Sequence, residues 1–357
     1  MSDSSQHYAC IMAGGSGERF WPMSRASVPK HLLKLFSGRT LLEETVLRIE
    51  GVVPRENVFV LTNEVQLAGS RAALAGIVPA EQIIAEPAKR DTAPAAALAT
   101  ALVRAGAGET ATLALLPADA FIADRETFRT QLGVAMADAA TRDSLITFGV
   151  RPTYPSTAFG YLEVGPELGR HQGAFPIRKV VRFVEKPDLT TAERYLQDGI
   201  YIWNAGIFVW KVATFLKEAD HSAGELATFV REFPKSEWGD FLARRFPLLH
   251  KISVDYAIME KSGCVETLMA KFDWDDVGLW TALPKHLPTD AAGNTMRGTV
   301  VTEGAANNIA VSNGRVIALC GVKDLVVVET ADAVLVCHRD AVQDIKKLTG
   351  RLPKELL

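Results

Sequence analysis

Short apolar runs alternate with helical patterns from residue 8 to about residue 150. Tyr8 to Met12, Val58 to Thr62, Ile83 to Glu86, Thr112 to Leu116 and Leu145 to Val150 read as buried strands. Between them, Thr40-Leu41-Leu42-Glu43 has the form of a capping box and opens a helix to about Ile49. Thr92 is the expected cap of an alanine-rich helix, with Pro94 in its first turn, where the missing N–H costs little. Arg125 to Ala140 predicts a further helix. Such alternation predicts an α/β fold, a parallel sheet flanked by helices. In open sheets of this class ligands bind beyond the carboxyl ends of the strands. The loop after Met12, Glu86-Pro87 and Asp119 all fall at such ends.

After residue 151 the pattern changes. A turn-rich loop, Tyr154 to Tyr161, precedes strands at Ile177 to Val184, Trp203 to Trp210 and Val265 to Met269, with helical material near 190–197 and 212–262. A second break comes at Pro284-Lys285-His286-Leu287-Pro288. Beyond it, short β-rich runs follow at fairly even spacing from Gly298 to Cys337, and 340–349 looks helical. Even spacing with little helix predicts a small β-solenoid or sandwich. The expected division is residues 1–285 and 286–357.

The first loop changes the picture. Gly14-Gly15-Ser16-Gly17 empties a buried strand into glycines, which let the backbone approach a ligand and aim N–H groups at one point. From Glu18 to Arg39 there are five Lys/Arg against one acid, in a chain of net charge −3. That local excess suits a polyphosphate. Two other glycine loops fail: no Lys follows Gly17 as Walker A requires, and Phe20 stands where a dinucleotide fingerprint needs glycine. A nicotinamide-dependent dehydrogenase is thereby excluded.

Composition adds little beyond class. At 357 residues, 48% hydrophobic and 23% charged, the chain is long enough for two domains of ordinary globular make-up. Its mild acidity argues against nucleic acid or an anionic membrane as partner. Cys10, Cys264, Cys320 and Cys337 show no paired spacing; three lie in strand-like runs, which predicts buried free thiols. No basic leader with an apolar core is evident, no apolar stretch is long enough to span a bilayer, and the expected location is cytoplasmic.

The loop, closed by Arg19-Phe20-Trp21-Pro22 and Pro29-Lys30, resembles the signature of the sugar-phosphate nucleotidyltransferases, in their mannose-1-phosphate guanylyltransferase branch. Five more segments are similar to that family in the same order. They are Glu86 to Ala93, Leu116-Pro117-Ala118-Asp119, Phe183 to Pro187, Trp203-Asn204-Ala205-Gly206 and Trp274 to Gly278. The trailing segment resembles the family's left-handed β-helix. The resemblance implies a Rossmann-like, GT-A-like, mostly parallel sheet followed by that β-helix. It implies transfer of GMP from GTP to mannose 1-phosphate, giving GDP-mannose and pyrophosphate, with Mg²⁺ as cofactor; it allows a homodimer.

Carried over residue by residue, the resemblance puts Mg²⁺ on Asp119 and Asp276, Arg19 on the departing β- and γ-phosphates, and Lys30 on the α-phosphate. Gly14, Gly15, Ser16 and Gly17 would cradle the phosphates. Glu86, Arg90, Asp91 and Thr92 would lie near the base; Gly160, Glu185, Lys186 and Asn204 would hold the sugar phosphate. The chemistry asks for the same residue types, because joining two anions needs positioning and charge neutralisation rather than a covalent intermediate. A carboxylate at Asp91 can accept both adjacent donors of guanine, so it is expected to favour GTP over ATP; a helix cap is the competing reading. The chain departs from the family at Asp91 (usually Asn), Ala120 (usually His) and Leu279 (usually Ser). These changes leave open another sugar 1-phosphate or nucleotide. A non-catalytic regulatory subunit that binds the product is the remaining alternative, although it predicts loss of the four residues Arg19, Lys30, Asp119 and Asp276, all present. With no isomerase segment after residue 357, a fused second activity is not expected.

Overall fold

The computed structural model describes residues 4–169 and 175–357. Nine strands form the main sheet: β1 (His7–Met12), β2 (Val58–Asn63), β3 (Ile83–Glu86), β4 (Thr112–Pro117), β5 (Leu145–Val150), β6 (Tyr161–Glu167), β7 (Ile177–Val184), β8 (Tyr201–Lys211) and β9 (Val265–Met269). Their order is β3-β2-β1-β4-β8-β5-β9-β7-β6. All run one way except β8 and β7, which pair antiparallel with their neighbours. The α/β expectation holds, with one antiparallel strand inserted between β4 and β5.

Helices cover both faces: α1 (Leu41–Arg48), α2 (Glu64–Ala73), α3 (Thr92–Ala107), α4 (Arg125–Thr141), α5 (Leu189–Asp198), α6 (Val212–Ser222), α7 (Gly224–Glu232) and α8 (Gly239–Arg245). Alternation along the strands decides which helix each residue meets. In β4, Leu113 and Leu115 pack in one core with the alanines of α3 and with Phe215 and Phe229, whereas Ala114 and Leu116 pack in another with Leu42, Phe128 and Leu132. The sheet is therefore buried on both sides, which explains why its central strands read as unbroken apolar runs.

The Thr40 capping box forms as expected, Thr40 Oγ1 accepting from Glu43 N and Glu43 reaching back to Thr40 N. At α3 the cap is Asp91 rather than Thr92. Asp91 Oδ1 accepts from Thr92 N at 2.8 Å, while the Thr92 hydroxyl accepts from Val254 N. The cysteine expectation is corrected too: all four are free, but only Cys10 is buried, and Cys320 is exposed.

The C-terminal part contains β10 (Thr295–Arg297), β11 (Val300–Glu303), β12 (Ile309–Val311), β13 (Ile317–Cys320), β14 (Leu325–Glu329) and β15 (Val334–His338), ending in α9 (Ile345–Thr349). Successive strands stack in parallel, β10 on β12 on β14 and β11 on β13. Buried Asn294 and Asn308 link the coils, Asn308 Nδ2 donating to Asn294 Oδ1 at 2.9 Å and to Val322 O at 3.1 Å. A third core joins this region to the first loop, uniting Phe20, Trp21, Val277 and Trp280 with Ile309, Val328, Leu335 and Ile345.

Candidate active site

The glycine loop leaves the carboxyl end of β1, and Asp119 follows β4, the strand paired beside it. Lys30 is buried and reaches both of the predicted metal-binding aspartates, the side chain of one and the backbone of the other. Its Nζ is 2.9 Å from Asp119 Oδ2 and donates to the Asp276 carbonyl. Gly17 makes that packing feasible: its φ is +62°, and a Cβ there would meet Lys30 Cβ at 2.4 Å. Ser16, Gly17, Arg19, Lys30, Asp119 and Asp276 all line one cavity of about 240 Å³, with Gly278 and Lys346 also in its wall. A second cavity, of about 500 Å³, shares Arg19, Asp276 and Gly278 and extends along Tyr154, Ser156 and Phe159.

Asp276 sits among like charges. Burial pushes its carboxyl up, the Lys30 ammonium pulls it down, and Asp119 and Asp275 push it up again. Asp275, which sequence reasoning passes over, has a different task. It accepts from Val277 N at 2.7 Å and pairs with His286 Nε2 at 3.0 Å. These bonds fix the turn that presents Asp276. Burial raises the Asp275 carboxyl, but His286 and the Val277 amide outweigh it and hold the group below its usual range.

A second cluster gathers the predicted sugar residues. A Cβ on Gly160 would lie 2.5 Å from Glu185 Oε2, and Asn204 N donates to Gly160 O at 2.8 Å. Glu185 and Lys186 pair with one another. Asn204 Oδ1 accepts from the Thr147 hydroxyl at 2.7 Å and from Gly206 N at 3.1 Å, so its Nδ2 is left to donate to Asp255 Oδ1 at 3.2 Å. Gly206 has φ +69°, and the β5–β8 register shifts beside it; the bulge turns Asn204 to this use. In the sequence Asp255 reads only as helical material. Nothing local marks it, because its partners lie far away in the chain.

Burial first, then Glu185, pushes the Asp255 carboxyl up to about 7, with Lys186 opposing and Asp91 adding to the rise. Between the ordinary 3.8 and about 7 the folded chain thus holds a proton that the unfolded chain has lost. Stability falls as pH rises across that window. Asp255→Asn is expected to flatten this part of the curve of melting temperature against pH, while keeping an acceptor for Asn204. An unchanged curve removes Asp255 as its source.

Of the base-proximal residues, Asp91 and Thr92 border the second cluster, Asp91 through its charge on Asp255 and Thr92 through the Val254 amide. Glu86 ends β3, and burial alone pushes its carboxyl up to about 8. Arg90 donates to the Pro247 carbonyl, tying its loop to the helical layer. Gly14 and Gly15 have nothing within 4 Å of a built Cβ, so neighbouring packing does not require glycine there. Of the six non-glycine residues with positive φ among those described, Asp91, Lys186 and Val277 lie in three of the predicted segments. Strain of this kind persists only where surroundings enforce it, and it concentrates at functional sites.

A mostly parallel sheet with a polyphosphate-type loop and paired carboxylates at its strand ends defines the nucleotidyltransferase class. The chain belongs to the nucleotidyl transferase family: the profile of that name matches residues 8–292, and a mannose-phosphate isomerase/GMP-like beta-helix domain matches 298–352. It is 35% identical over 354 residues to the mannose-1-phosphate guanylyltransferase of Escherichia coli K12, covering 98% of this chain and 74% of the relative. It is 36% identical over 348 residues to the xanthan biosynthesis protein XanB of Xanthomonas campestris, covering 96% and 72%. A crystal structure described as mannose-1-phosphate geranyltransferase from Thermus thermophilus superposes with a TM-score of 0.87 at 34% identity, over 97% of this chain and 99% of that one. Among the described residues no helix is long and apolar enough to cross a membrane.

Proposed function

We propose that the chain transfers GMP from GTP to mannose 1-phosphate, releasing pyrophosphate and forming GDP-mannose. The observation that carries this reading is the convergence of Arg19, Lys30, Asp119 and Asp276 on one cavity at the strand ends. The names of the relatives support the sugar and the guanylyl group. A phosphate oxygen of the sugar attacks the α-phosphorus, the new P–O bond forms as the bond to the β-phosphate oxygen breaks, and pyrophosphate departs in line. Lys30 meets charge at the α-phosphate, and Arg19 and the glycine-loop amides meet the β- and γ-phosphates. Glu185, Lys186, Asn204 and the Gly160 backbone hold the sugar phosphate, and Glu86, Arg90, Asp91 and Thr92 border the base.

Asp119 and Asp276 fit Mg²⁺ by their chemistry. They are oxygen donors in one cavity, and Asp276 is crowded by Asp119 and Asp275, which a divalent cation would relieve. Magnesium is commonly held by one or two carboxylates together with substrate phosphates, which is the set these two residues would provide. When bound, the ion would neutralise phosphate charge.

The test is pyrophosphate release across a matrix of nucleoside triphosphates and sugar 1-phosphates. GTP with mannose 1-phosphate should be turned over fastest. A different preferred pair overturns the specificity, and no release with any pair returns the chain to a binding role.

At Asp91 the cap and base recognition are separable. Asn caps helices and tolerates positive φ, but it offers one acceptor oxygen where a carboxylate offers two, so it cannot meet the two adjacent donors of guanine side by side. Asp91→Asn should therefore melt like the wild type and lose about tenfold in the GTP/ATP ratio of kcat/KM. An unchanged ratio leaves Asp91 as a cap alone.

A further inference from the structure

The wall of the phosphate cavity is not built from the sheet domain alone. Lys346, on α9 beyond the β-helix strands, lines it together with Arg19, Lys30, Asp119 and Asp276. We propose that Lys346 binds the β- and γ-phosphates of the nucleotide and the pyrophosphate product. The C-terminal region would then complete the leaving-group end of the site. This inference rests on the nucleotidyl-transfer reading above.

Three observations carry it. First, α9 is fixed against the phosphate loop: Ile345 is buried in one core with Phe20, Trp21 and Trp280, and the Trp21 indole donates to the Leu356 carbonyl at 2.9 Å. Lys346, the next residue, is thereby held at the loop. Second, its ammonium is only loosely engaged. Nζ lies 3.7 Å from Glu18 Oε2, both side chains are exposed, and the other Glu18 oxygen accepts from the Ser16 hydroxyl at 3.1 Å. Exposed ion pairs of that length contribute little, so a polyphosphate with far higher charge density would displace Glu18.

Third, the position selects the leaving group. In-line displacement puts the attacking oxygen and the departing phosphates on opposite sides of the α-phosphorus. The cavity on the Tyr154–Phe159 side, which would admit the sugar phosphate, is shared through Arg19 and Asp276. Lys346 is absent from the wall of that cavity and lines instead the phosphate cavity and a neighbouring one against α9, which Ser16 and Glu18 also border. Lys347 is a built-in contrast, since it pairs with Asp344 at 2.7 Å and is not part of the phosphate-cavity wall.

Binding of GTP, GMP and inorganic pyrophosphate to the full chain, measured by calorimetry at fixed salt and magnesium, tests the proposal. Lys346→Ala should weaken GTP and pyrophosphate about three- to tenfold and leave GMP, which has no β- or γ-phosphate, unchanged. Lys347→Ala should change none of the three. Glu18→Gln frees Lys346 and removes a nearby negative charge, so it should hold or tighten pyrophosphate binding. Unchanged pyrophosphate affinity in Lys346→Ala overturns the inference. So does an equal loss for GMP, or a loss in Glu18→Gln matching that of Lys346→Ala, which would make the ion pair a prop for the loop. If the wild type binds neither GTP nor pyrophosphate, the nucleotide reading itself falls, and this inference with it.

Discussion

Asp276→Ala is expected to slow pyrophosphate release at least ~100-fold, equivalent to ~2.7 kcal/mol or more in the barrier, the scale of losing one preorganised electrostatic group. Asp119→Ala should do the same, because both carboxylates face one cavity from separate loops. The fold should survive. Asp276 is held among Asp119 and Asp275 against the preference of its own charge, so its loss relieves repulsion instead of breaking a support. Gly278 belongs to this arrangement: a Cβ there would lie 3.0 Å from Asp276 Oδ2, close enough to push the carboxylate from its place. Melting temperature and turnover are therefore expected to part company, the first held or raised and the second nearly abolished. Activity retained by Asp276→Ala at saturating magnesium would falsify its role.

What was legible in the sequence follows from how far each signal reaches. The Thr40 capping box closes within four residues, and it forms as read. The strands β1 to β5 are buried on both faces, so their apolar runs announce them without knowledge of partners. The antiparallel course of β8 was hidden, because strand direction is set by connections and not by composition. Two adjacent cap-forming residues made Asp91 and Thr92 ambiguous; the positive φ of Asp91 and the engagement of Thr92 by Val254 decide between them. In the β-helix, the Asn308 side chain meets Asn294 14 residues back and Leu325 17 residues on, so no single period repeats.

The site was partly legible for the same reason. Glycines, cations and aspartates at strand ends carry their chemistry in the local sequence. Asp255 does not, since it meets the site through an Asn204 amide 51 residues away and through the charges of Glu185 and Lys186. Asp275 matters through His286, whose ring sits against Phe36 and Phe121 from a different part of the chain. Such residues gain their meaning from the packing of the finished fold.

Lys30 carries the second large effect. Its side chain is almost wholly buried, held by Asp119 at 2.9 Å and by the Asp276 carbonyl, with its ammonium 6.0 Å from the Phe20 ring centre. A cation fixed in advance needs little rearrangement when negative charge grows at the α-phosphate, and that is where preorganisation lowers a barrier. On the proposed assignment, Arg19 and the loop amides would remain to bind the ground-state nucleotide. Lys30→Met, which keeps most of the side-chain bulk, should thus lower kcat and kcat/KM together by about a hundredfold, the pattern of a contact made in the transition state. Lys30→Arg should recover little, because a planar fork does not substitute for a compact ammonium at a site closed by Gly17. Asp119, left without its partner, is 37% exposed and can be solvated, but the buried Asp276 loses the cation that offsets its neighbours, so Lys30→Met should also lower the melting temperature. If Lys30→Met raises only the KM for GTP and leaves kcat intact, Lys30 is a ground-state anchor, and the charge that meets the α-phosphate must come from elsewhere in the cavity.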